Sequence, residues 1–131
     1  RLGDILWPIK ELKTEDSFSK SSFSCLGEKK IEEKIVSMDI DNWVLCGIEA
    51  HICVLQTAKA LLKMGKRVII PNDTIGSRSI FDFSTSIAEL RDIGARISST
   101  EIILFEWVKD SKAAEFKDLL SIIKEDPYPV A

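Results

Sequence analysis

Apolar and polar positions along the chain change period several times, and the order of those changes predicts the fold. Residues 1–27 show no sustained period. Ser17, Ser19, Ser21, Ser22 and Ser24, with Pro8 and Gly27, predict a loop ordered by Trp7, Phe18 and Phe23. A short helix is predicted from Glu28 to Met38, with Ile31 and Ile35 on one face, followed by turn residues Asp39 to Asn42. Trp43 to Ile48 is an unbroken apolar run, the pattern of a strand buried on both faces. From Ala50 to Met64 the period becomes helical, with Val54, Leu55, Ala58, Leu61 and Leu62 in one stripe and Gly65 as the stop. Arg67 to Ile70 reads as the next strand, closed by Pro71-Asn72-Asp73 and a turn around Gly76. Ser79 and Asp82 have the spacing of a capping box ahead of a helix carrying Phe83, Ile87 and Leu90 and ending at Gly94. Arg96 to Ser98 is a third strand. Helices near 101–109 and 113–124 follow, before Pro127 and Pro129.

Strands alternating with helices of this length predict right-handed βαβ units and a parallel sheet, hence an α/β fold. Three strands are few for a sheet covered on both faces, which implies further strands from elsewhere or a partner. The 131 residues, 45% hydrophobic and 30% charged, suit a single globular domain over residues 1–131. With 18 Lys+Arg against 21 Asp+Glu the net charge is −3, and no basic patch suggests a nucleic-acid partner. No apolar run approaches the roughly 20 residues of a membrane span. The chain opens on Arg1 without a signal-peptide pattern, and it reads as part of something longer.

Chemistry in a parallel α/β sheet sits outside the carboxyl ends of the strands. Here those ends are Gly47-Ile48-Glu49, Asn72-Asp73-Thr74 and Ser98-Ser99-Thr100. Cys53 follows the first of them, in the opening turn of a helix, where unpaired N–H groups and the helix dipole favour a thiolate and can hold an oxyanion. It points roughly 140° from the centre of the apolar stripe at 100° per residue, so that stripe does not need it. The competing reading is a small buried hydrophobe. Cys46, inside the predicted strand, reads as packing. Cys25 lies in the loop. His51 is two residues from Cys53, a spacing that turns the two side chains apart on a helix. Asp73 is expected to bond the turn at Gly76-Ser77.

The three cysteines form no close C-x-x-C pair and His51 is the only histidine, so no metal is expected within these residues. Neither a P-loop nor G-x-G-x-x-G occurs, and no cofactor is expected. Free cysteines in an unsignalled acidic chain suggest the cytoplasm.

The segments GIEAHICVLQTAKALLKMGKRV, IIPNDTIGSRS and ISSTEIILF together resemble the isochorismatase-like cysteine hydrolase family, in its eukaryotic and protozoan branch. The resemblance runs from about Leu2 to Pro127. It implies a Rossmann-like, doubly wound parallel sheet of three αβα layers, here incomplete at the N-terminus, and a catalytic Asp, Lys and Cys. The Cys position falls on Cys53. KSSFSC resembles the family's Lys-Thr-x-Phe-Ser segment, placing the Lys at Lys20, which composition alone reads as a solvated loop lysine. The family's non-proline cis peptide would fall at Ile48–Glu49, and its oxyanion hole would use the N–H groups of Glu49 and Cys53. The family's Asp belongs upstream of this chain; Asp4, Asp16 and Asp39 do not replace it. Glu49 stands where the amidases carry a small residue, implying a narrower or recharged pocket.

The function so implied is a hydrolase using Cys53 on a small C–N or ester-type substrate, in a homo-oligomer of two or more copies. The rivals are a catalytically incomplete pseudo-enzyme or interaction module, and a thiol-based redox responder using Cys53 or Cys25.

Overall fold

The computed structural model describes residues 17–125. Trp7, Pro8, Asp4, Asp16, Pro127 and Pro129 therefore lie outside the described residues. Three parallel strands form one sheet in the order β1 (Asn42–Val44), β3 (Arg67–Pro71), β5 (Arg96–Ser98). Trp43 sits opposite Val68, and Ile70 opposite Ile97. The central place of β3 explains its burial: Val68 and Ile70 are enclosed, whereas β1 lies at the edge of the described sheet. This corrects the expectation of a strand buried on both faces, since Asn42 and Val44 are exposed and Trp43 only half-buried.

The run from Trp43 to Ile48 is also not one strand. Leu45 N–H still reaches β3, at Ile69 O (3.0 Å), but Gly47 N–H turns away to Thr74 O (3.0 Å). Gly47 has φ +134°, which side chains rarely adopt, and it lets the chain switch partners. The next two residues form β2 (Gly47–Ile48), paired in parallel with β4 (Ile75–Gly76), where a turn alone was expected. Cys46 falls at the break and is exposed, so it does not pack in a core.

Five α-helices accompany the strands among the described residues. Helix α1 (Lys29–Ser37) buries Ile35. A π-helical turn, Ala50–Val54, leads into α2 (Leu55–Lys63). The predicted stripe is the buried face: Val54, Leu55, Ala58 and Leu61 are enclosed, with Leu62 packed beside them. Gly65, at φ +77°, ends the helix, and Lys66 N–H returns to Leu61 O at 3.0 Å. Helix α3 (Ile80–Asp92) starts as its spacing predicts, with Ser79 Oγ accepting from Asp82 N–H at 3.4 Å. It lies beside α2, to which the Lys59–Glu89 ion pair joins it. Both helices make crossovers that advance the same way across the sheet, so right-handed connections put them on one face.

Helices α4 (Thr100–Val108) and α5 (Phe116–Glu125) close the described chain, with Phe105 and Phe116 edge to face at 6.1 Å. Asp73 does not bond the turn at Gly76. Its carboxylate accepts from Thr100 N–H at 2.9 and 3.0 Å and from Thr100 Oγ1 at 3.0 Å, joining the end of β3 to the start of α4. An acid suits that place because the first helical N–H groups have no partner within the helix.

Candidate active site

Cys53 and Lys20 are 33 positions apart and meet at one cleft of about 170 Å³, lined also by Cys25, Leu45, Cys46, Ile48, Val54 and Thr57. Three parts of the chain supply it, the first being the loop that brings Lys20 and Cys25. The break after β1 brings Leu45, Cys46 and Ile48, and the π-helical turn with the start of α2 brings Cys53, Val54 and Thr57. Cys53 and Thr57 are one turn apart on a helix and so share a face. Thr57 is buried, and its Oγ1 accepts from Cys25 N–H at 3.0 Å, which seats the Lys20-bearing loop against α2. All three cysteines are free, with Cys46 exposed and Cys25 and Cys53 half-buried.

Among the described residues, Phe18 and Phe23 do not order that loop. Phe18 and Phe23 are 41% and 60% exposed, and polar contacts hold the segment instead. Lys20 Nζ donates to Ser22 O at 2.8 Å and Phe23 O at 2.9 Å. Glu28 Oε1 accepts from Ser22 N–H at 3.0 Å and Ser21 N–H at 2.8 Å, with the Ser22 and Ser21 hydroxyls at 3.1 and 3.2 Å. These donors, the Ser22 and Ser21 N–H groups first, hold the Glu28 carboxyl at about 2, below its ordinary 4.5. A carboxyl depressed on folding contributes stability that is complete above 4.5 and is lost as pH falls through about 2. The stability difference between the parent and Glu28→Gln is therefore expected to shrink as pH drops across that window. Urea midpoints of both proteins over the window check it, and a constant difference contradicts it.

The turn after β2 differs from expectation. No cis peptide occurs among the described residues, so Ile48–Glu49 is trans. Gly47, at φ +134°, makes the sharp change of direction instead. In this geometry Glu49 O accepts from Ile52 N–H at 3.0 Å and Cys53 N–H at 3.1 Å. The Cys53 N–H is thus engaged in the helix, and the expected oxyanion pair of Glu49 and Cys53 is not assembled. Nor does the Glu49 side chain recharge the cleft. Its Oε2, buried and without a hydrogen bond, lies 3.3 Å from His51 Nδ1. His51 Nδ1 is also 2.9 Å from Ser77 Oγ, and its Nε2 is 3.9 Å from Asp82 Oδ2. His51 thus belongs to a polar cluster between the π-helical turn and α3, apart from Cys53 as its spacing predicts.

Among the described residues, no three or more His, Cys, Asp or Glu side chains are grouped to hold a metal ion. No described helix is long and apolar enough to cross a membrane. Sequence reasoning missed Glu28, Gly27 and Thr57. Thr57 had one visible signal, a polar residue inside an apolar helical segment.

Residues 2–102 match the family described as the isochorismatase domain. The chain is 36% identical over 124 residues to isochorismatase domain-containing protein 2 of Xenopus laevis, covering 92% of this chain and 60% of that one. A solved structure named MAR1 ribonuclease, from Caenorhabditis elegans, superposes with a TM-score of 0.73 at 29% identity, covering 86% of this chain and 59% of that one. The nicotinamidase/pyrazinamidase of Bacillus subtilis shares the fold, with a TM-score of 0.66 at 22% identity over 75% of this chain and 56% of that one. The three-layer α/β arrangement implied by the sequence is the fold of these relatives. The chain spans between about half and three fifths of the length of the curated relatives it matches.

Proposed function

The chain belongs to the isochorismatase family, and on that premise we propose that it is a hydrolase whose Cys53 thiolate attacks the carbonyl carbon of a small amide or ester. The observation that carries this reading is the convergence of Cys53 and Lys20, from separate parts of the chain, on one cleft. A lysine ammonium beside a thiol favours the thiolate, and so does the first turn of a helix. In the reaction the thiol proton passes to a base and a sulfur–carbon bond forms. The carbon–nitrogen or carbon–oxygen bond then breaks, with the proton leaving on the amine or alcohol. Water hydrolyses the resulting thioester and restores the thiol. The lining described here contains no carboxylate. The reading therefore assigns the base to a residue outside 17–125.

The small cleft and the balance of 18 basic against 21 acidic residues favour a small molecule over the RNA suggested by the name of the Caenorhabditis elegans structure. Alkylation with iodoacetamide, followed residue by residue by mass spectrometry, tests the nucleophile. Cys46 is the exposed thiol, so accessibility alone makes Cys46 the fastest. Activation makes Cys53 faster than both others near neutral pH, by about tenfold. Slow labelling of Cys53, equal to Cys25 and Cys46, overturns the reading. A reversible mixed disulfide with glutathione, without turnover of any amide or ester, favours the redox responder instead.

A further inference from the structure

Lys20 lies in a segment without helix or strand, and its placement on the cleft needs a cause. The aromatic side chains that flank it in sequence, Phe18 and Phe23, are largely exposed, so their burial does not provide it. We propose that Glu28 is the positioning residue that sets the Lys20 ammonium on the Cys53 cleft, an inference that rests on reading Cys53 and Lys20 as the reacting pair.

Ser22 connects the two charged groups. Its N–H donates to Glu28 Oε1 at 3.0 Å, and its carbonyl accepts from Lys20 Nζ at 2.8 Å. Ser21, beside it, gives the same carboxylate oxygen its N–H at 2.8 Å. One oxygen thus gathers two consecutive backbone donors, and the carbonyls of Ser22 and Phe23 face the lysine. A charged acceptor makes stronger hydrogen bonds than a neutral one, so a carboxylate suits the task.

Two further contacts fix the frame. Gly27 lies so close under the loop that an added Cβ would stand 2.6 Å from Ser22 Cβ and 2.7 Å from its Oγ, a spacing only glycine permits. The Cys25 N–H bond to buried Thr57 Oγ1 then fastens the same loop to the helix that carries Cys53. Gly27 and Glu28 therefore act as a seat and a clasp under Ser22, and Lys20 is held through Ser22 rather than directly.

The pH dependence of Cys53 alkylation in the intact protein tests this, with Lys20→Ala and Glu28→Ala measured singly and together. Each single change is expected to slow Cys53 labelling near neutral pH by about tenfold and to move its pH profile upward, by more than it changes the labelling of Cys46. Because the two residues act in series, the double variant is expected to be no slower than Lys20→Ala alone. Glu28→Gln, which keeps a neutral acceptor, is expected to restore part of the rate. Gly27→Ala displaces the same loop by contact alone and is expected to shift the profile in the same direction, which covers the case in which Glu28→Ala fails to fold.

If Lys20→Ala shifts the profile while Glu28→Ala and Gly27→Ala leave it in place, the clasp is overturned and the hydrolase reading stands. If Lys20→Ala itself has no effect, the reading of the pair fails and the inference falls with it. A merely structural role for Glu28 would lower the melting temperature without moving the pH profile, and that outcome also overturns the proposal.

Discussion

Cys53→Ser is expected to reduce hydrolysis of any amide or ester the intact protein turns over by on the order of a thousandfold or more, with the fold unchanged. Serine is nearly isosteric with cysteine, and Cys53 is only half-buried, so the exchange leaves packing almost intact. The hydroxyl, unlike the thiol, is not appreciably ionised near neutral pH. A site arranged around a thiolate therefore loses its nucleophile, and little remains beyond binding. Steady-state turnover of parent and variant on the same substrate, with circular dichroism as the fold control, gives the answer. A serine variant retaining a tenth of parental activity would remove Cys53 from the nucleophile's place. Neither the exposed Cys46 nor Cys25 is expected to show a loss of that size when changed to serine.

Leu61→Ala is expected to carry the largest loss of stability, about 2–5 kcal/mol. Leu61 is fully enclosed in α2, in a cluster with Val68 and Ile70 of the central strand and Leu90 of α3. Alanine and leucine are both strong helix formers, so the loss reports packing and not helix propensity. It is a large fraction of the roughly 5–15 kcal/mol that a domain of this kind possesses. Urea denaturation measures it, and Ile122→Ala supplies the contrast. Ile122 is 62% exposed, and its change is expected to stay within about 0.5 kcal/mol. A loss below about 1 kcal/mol at Leu61 would mean that the site collapses around the missing methyl groups.

Helices and central strands were legible because each repeats a simple rule along the chain. The stripe from Val54 to Leu62 has a period that only a helix satisfies, and its buried face is the one its spacing names. Ser79 precedes its helix at capping distance, and the cap forms. The run from Trp43 to Ile48 misled because apolarity says what could be buried and not what lies on either side. The chain leaves β3 at Cys46 because Gly47 turns toward Thr74, a pairing 27 residues distant that no local pattern records. Asp73 failed as a turn residue for the same reason: its partner, Thr100, begins a helix 27 residues later.

At the site, Cys53 and Lys20 line one cleft, but nothing local tells what supports a loop lysine. Glu28 looked like the first residue of a short helix. It is the N-cap of that helix, its carbonyl accepting from Glu32 N–H at 3.0 Å, while its carboxylate serves the preceding loop six and seven positions back.

The sequence by itself determined the alternation of strands and helices, the buried helical faces and the family. Those follow from side-chain periodicity and local motif, which are properties of neighbouring residues. The tertiary structure alone decided the edge position of β1, the split at Gly47, the trans turn that engages the Cys53 N–H, the His51 cluster and the hydrogen bonds of Glu28 to Ser21 and Ser22. Each of these depends on which donor or acceptor, main-chain or side-chain, comes within hydrogen-bond reach, and chain folding sets that distance where composition and period do not.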